Sequence, residues 1–169
     1  MGKIIGSVFV LGGMAGVLVQ WIEAQNERQK RIEEFCLFLH KFIFQMEAEK
    51  MRVVDYFAKY YSRDSRITET LHEVSRRLNE HVYPSGQMVW ESVCKEMEWN
   101  LEEEVCLLIL ASGNGFFGRN RDENISFLKK QLEELERQNV KCKERYAKER
   151  KVWIPVGMLS GVMLILLFL

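Results

Sequence analysis

The chain has 169 residues, a length for one domain with accessories. Its 24 Lys and Arg residues balance 24 Asp and Glu residues, so no global field favours nucleic acid or an anionic surface. Two prolines, few β-branched runs and many Glu, Lys, Leu and Met residues exclude extensive sheet and predict an almost wholly helical protein.

Residues 4–22 carry no charge and only Gln20 as a strongly polar side chain. As a helix this stretch is about 28 Å long, which predicts a transmembrane helix over residues 1–23. The rival is a cleaved signal peptide, with Lys3, an apolar core and the small residues Ala15 and Gly16. The apolar stretch is long for that role, and no clear A-x-A site follows.

Residues 24–151 read as a helical bundle that faces the cytoplasm. Ile32, Phe35, Cys36, Leu39, Phe42, Ile43 and Met46 form one stripe on a helix. Leu37 and Phe44, a heptad apart, form a second patch, so this helix is either central in the bundle or touches a partner. Val53, Val54, Phe57 and Tyr60 or Tyr61 give a shorter helix or a bent continuation. Asp64 or Ser65 can cap the next helix, whose apolar face is Ile67, Leu71, Val74 and Leu78. Tyr83, Pro84, Ser85 and Gly86 break it. A helix over residues 87–97 follows, and Asn100 with Glu103 resembles a capping box. The apolar run 105–111 predicts the buried helix of the bundle, ended by Gly113 as a left-handed cap.

The last third reads as one long helix. Ile125, Leu128, Leu132, Leu135, Asn139, Cys142 and Tyr146 make a heptad seam between charged positions. Its lower part, 139–151, is expected to pair antiparallel with residues 24–36. Residues 152–169 carry no charge, are about 27 Å long as a helix, and predict a second transmembrane helix. Pro155 at this junction predicts a kink near Lys151. Basic flanks at Arg28, Lys30 and Arg31, and from Arg137 to Lys151, place the central domain in the cytoplasm and both termini outside. Gly12 with Gly16 and Gly157 with Gly161 are small-residue pairs that let membrane helices approach closely.

Catalytic chemistry is weakly signalled. Gly113, Gly115 and Gly118 spell G-x-G-x-x-G, but no strand precedes them and no βαβ pattern exists, so they read as a tight turn between helices with Phe116 and Phe117 tucked inward. Cys36 and His40 lie one helical turn apart without a fixed third ligand. Paired carboxylates fall at exposed or helix-start positions, where they favour the helix dipole. The four cysteines lack C-x-x-C spacing and read as reduced thiols. The expectation is no enzyme, no cofactor, no metal, no nucleic acid and no small-molecule substrate.

The run from Leu110 to Asn124, with its three glycines, and Ser85-Gly86 four residues before Trp90 carry a family resemblance. The chain resembles the stage III sporulation protein AB family, related to the type II secretion F platform proteins. It departs at Phe117, where leucine is usual, and at Asn120-Arg121, where serine-aspartate is usual. The resemblance implies an all-α fold, a small antiparallel F-like bundle between two membrane helices. It implies a non-enzymatic platform in the mother-cell membrane that couples a secretion-type ATPase to ring-forming membrane proteins. The rival reading is a doubly anchored homo-oligomeric scaffold outside sporulation, associating through the Ile125 seam.

Overall fold

A computed structural model describes residues 2–48, 51–80 and 84–168, with side chains throughout except at 2–11, 165, 167 and 168. The described residues are helical and contain no strand: α1 (Gly2–Ala48), α2 (Val53–Lys59), α3 (Ser65–Asn79), α4 (Gly86–Glu96), α5 (Glu103–Ala111), α6 (Gly113–Phe116) and α7 (Arg121–Phe168). They form two compact units, one of Lys30–Asn139 and one of Met1–Gln29 with Val140–Leu169.

Local chemistry sets the helix starts in the larger unit. Asp64 accepts from the Arg66 amide at 3.0 Å and caps α3. Ser85 caps α4 by accepting from the Met88 amide at 3.3 Å. Asn120 Oδ1 accepts from the Asp122 amide at 3.1 Å, and Asp122 and Glu123 place negative charge in the first turn of α7. The expected box of Asn100 and Glu103 does not form. Glu102 is the cap of α5, without a side-chain capping bond, while Asn100 has a left-handed backbone with φ 51°. That backbone tolerates asparagine because its short amide adapts to φ above zero.

The core of this unit is aromatic. Phe38 and Phe42 of α1 meet Phe57 of α2 and Phe116 of α6, both of which meet Trp90 of α4, while Phe35 packs on Phe38 and Trp99. The α1 stripe is buried from Ile32 to Ile43, Met46 is half-buried, and Phe38 joins the buried set. Helix α5 departs from expectation. Only Val105 and Ile109 are buried, whereas Leu107 is 57% exposed. A nine-residue helix with only two buried positions packs one narrow edge, so an unbroken apolar run does not by itself signal burial on all sides.

In the smaller unit α1 and α7 pair antiparallel. Gln25 Nε2 donates to Glu149 at 2.9 Å, and Arg150 donates to Gln25 Oε1 at 2.9 Å and to Asn26 Oδ1 at 2.7 Å. Helix α7 runs unbroken through Pro155. Among the described residues no helix is long and apolar enough to cross a membrane, so neither expected span is supported by them. Parts of the charge-free stretches, side chains 4–11, 165 and 167–169, lie outside the described set, as do His81 and Tyr83.

Candidate functional site

The glycine turn is shaped by space, not by backbone hand. None of the described glycines has a positive φ, which overturns the left-handed cap at Gly113. Gly113 instead opens α6, and a Cβ there would overlap the Trp90 indole. Trp90 cannot easily give way: its ring is fully buried, and its Nε1 donates to the carbonyls of Ile109 and Leu110, each at 3.1 Å. A Cβ on Gly115 would lie 2.5 Å from Leu128 Cγ, and one on Gly118 would overlap Asn124 Oδ1. The three glycines thus let α6 press between α4 and the start of α7. Phe116 is the residue delivered, 2% exposed, with ring centroids 4.9 Å from Trp90 and 5.0 Å from Phe42. Phe117 is half-buried. The amides of Gly115 and Phe116 donate to Ser112 O and that of Phe117 to Gly113 O, so these donors are spent within the turn rather than offered to a phosphate.

The seam has a defined place along α7. Leu128, Leu132, Leu135 and Asn139 are buried in the larger unit and Ile125 is half-buried, while Cys142 and Tyr146 are buried in the smaller. Asn139 Oδ1 has no hydrogen-bond partner. Of the glycine pairs in α1 and α7, Gly157 lies against Leu18, its hypothetical Cβ 2.9 Å from Leu18 Cδ1. Gly161 is buried, whereas a Cβ on Gly12 or Gly16 would meet nothing within 4 Å.

Reactive groups are quiet. None of the four cysteines is in a disulfide, and Cys36, Cys94 and Cys142 are buried. Burial pushes the Cys36 thiol up to about 12 and raises Cys94 further, so neither is a thiolate near neutrality. His40 lies at the surface, 3.0 Å from Glu136, whereas the Cys36 thiol is buried. No cluster of metal-ligating side chains occurs among the described residues.

Two features have no signal in the sequence. Arg31, one of the basic flank residues, is buried: it donates to Asp64 at 2.8 Å and to the Trp99 carbonyl at 2.6 Å. Asp64 therefore both caps α3 and holds a guanidinium, locking the segment before α5 onto α1. Asn124 Nδ2 donates to Gly118 O at 3.0 Å and closes the turn onto α7. Neither residue stands out in sequence, because the partners lie far along the chain or on the backbone.

One exposed apolar feature of the larger unit is the second patch on α1. Leu37 is exposed and Phe44 is 69% exposed. Beside Phe44, a groove of about 300 Å³ is lined by Ile43 and Leu132 and rimmed by His40, Glu47, Lys129 and Glu136. Lys129 bridges to Glu47 at 2.6 Å across it. Neither curated proteins nor solved structures gave a match to this chain. A family model does, and over residues 3–169 it matches that of stage III sporulation protein AB, so the chain belongs to the stage III sporulation protein AB family.

Proposed function

We propose that this protein is a membrane-anchored, non-catalytic platform of a sporulation secretion complex, with residues 30–139 as a cytoplasmic docking bundle of type II secretion F-like design. The observation that carries the membrane part is the surface of the smaller unit. Val17 and Val19 on α1, and Trp153, Met158, Leu159, Val162 and Met163 on α7, all point outward without a charged neighbour in the stretch. Soluble proteins rarely expose contiguous apolar surface of that kind, whereas a bilayer covers it. Both helices then end on the far side, and the bundle lies on the cytoplasmic, mother-cell face.

The platform part rests on family membership and on the Phe44 patch. A rigid aromatic core beneath an exposed phenylalanine suits docking of a secretion-type ATPase, which this protein would couple to ring-forming membrane subunits. Such aromatic anchors carry much of an interface's affinity. The self-associating scaffold is less favoured, because Leu128, Leu132 and Leu135 of its seam are already buried within the chain. The test is co-purification of the full chain with the ATPase of the same organism's complex. Phe44→Ala should weaken the association about tenfold or more. Binding unchanged by Phe44→Ala and Leu37→Ala together contradicts the assigned face.

A further inference from the structure

We propose that α7 carries a basic collar, centred on Lys148 and Lys151, that binds the headgroups of anionic phospholipids; this rests on the membrane reading above. Residues 140–151 hold six basic side chains against Glu144 and Glu149. The structure divides them by task. Arg150 is spent in the clamp with Gln25 and Asn26, and Arg145 lies 3.8 Å from Glu149. Lys148 and Lys151 are exposed and enter no ion pair among the described residues. They stand three residues apart on one side of α7, away from the buried Cys142 and Tyr146, and Glu144 is the acidic group on that side.

Their level along the helix pair suits headgroups. Gln25 meets Glu149 and Arg150, and Gly157 meets Leu18, a register that sets Trp21 level with Trp153. Trp153 is 56% exposed and Trp21 half-buried, one from each helix. Tryptophan collects at membrane–water boundaries because its ring is apolar and its N–H polar. Lys151 lies two residues before Trp153 and Lys148 one turn further, about 3–8 Å along the axis at the helical rise. Their aliphatic stems can lie along the apolar surface while the ammonium groups reach phosphate. On α1 the facing segment has Glu23 and Glu27 beside Arg28, so the excess charge belongs to α7.

The test is electron spin resonance of the full chain reconstituted in phosphatidylcholine vesicles, doped with phosphatidylglycerol or phosphatidylcholine labelled by a nitroxide low on its acyl chain. A motionally restricted component with labelled phosphatidylcholine reports protein–lipid contact and tests the membrane reading alone. The collar predicts association of labelled phosphatidylglycerol about fivefold stronger than that of phosphatidylcholine. The preference should fall towards unity in the Lys148→Gln, Lys151→Gln variant and in 1 M salt, where the screening length is about 3 Å. Equal association of the two lipids with the unmodified chain overturns the collar and leaves the membrane reading standing. A preference that survives both substitutions overturns the assignment to these lysines. No restricted component with either lipid overturns both readings.

Discussion

In residues 30–139, Phe116, Trp90, Phe57 and Phe38 enclose one another in a buried aromatic core. In the pair of 1–29 with 140–169, the described buried groups are Gln25, Cys142, Tyr146 and Gly161, while valine, leucine and methionine face outward. The larger unit coheres by removing aromatic area from water. In the smaller unit, polar groups and glycine lie between the helices, an arrangement in which hydrogen bonds and close backbone approach select the partner and register. Burial of side chains identifies the first kind of unit; outward apolar surface around a polar seam identifies the second.

The comparison breaks most readily at Phe116. Phe116→Ala empties the centre of the aromatic cluster and should destabilise the larger unit by about 4 kcal/mol. Chemical unfolding of the detergent-solubilised chain, followed by tryptophan fluorescence, reads this, and a loss below about 1 kcal/mol would contradict a core organised on that ring. Gly113→Val comes next, at about 3 kcal/mol, because the new side chain must displace a hydrogen-bonded, buried indole. An unchanged melting temperature would show that α6 can retreat from Trp90.

Changes in the clamp should act on register more than on global stability. In a variant free of native cysteines, Leu18→Cys with Gly157→Cys should form a disulfide within one chain. Adding Gln25→Ala and Arg150→Ala should cut its yield roughly fivefold, the effect of losing about 1 kcal/mol of hydrogen bonding. Disulfides formed solely between chains would contradict the intrachain pair.

The smallest effect is electrostatic and confined to the larger unit. Hydrogen bonds from Arg76 and Arg77 hold the Glu73 carboxyl down at about 2 from its ordinary 4.5, and Arg77 with Ser92 does the same for Glu96. A carboxyl depressed in the folded state contributes stability above its unfolded pKa, and that contribution drains away as pH falls from about 4.5 to about 2. Glu96 is exposed and Glu73 only half-buried, so solvent screening keeps the effect small. Arg77→Gln should flatten the pH dependence of unfolding in that window and leave it unchanged near pH 7 relative to the window's own slope.

Much of the fold was legible because helices announce themselves locally. The stripe from Ile32 to Ile43, the cap at Asp64 and the seam from Leu128 to Tyr146 each follow from spacing within one element. The pairing of 24–36 with 139–151 was legible in its lower part, where Gln25 meets Glu149 and Arg150. What failed depends on neighbours distant in sequence. Gly113 looked like a cap because helices commonly end on glycine, whereas its constraint is the Trp90 ring arriving from α4. Arg31 counts in sequence only as part of a basic flank, because its buried partners, Asp64 and the Trp99 carbonyl, lie far along the chain. The apolar run of α5 overstated burial because composition does not tell which face meets the core.

The contrast between an inward-facing bundle and an outward-facing helix pair is tested most directly by nitroxide accessibility. Single labels at positions 158, 163 and 107 are placed in a full-length variant free of native cysteines and reconstituted in phosphatidylcholine vesicles. Relaxation by molecular oxygen is compared with relaxation by a water-soluble nickel chelate. Labels at 158 and 163 should favour oxygen strongly, as in a bilayer interior, while the label at 107 meets the chelate freely. Ready access of the chelate to positions 158 and 163 would place that apolar surface in water and overturn the outward-facing helix pair.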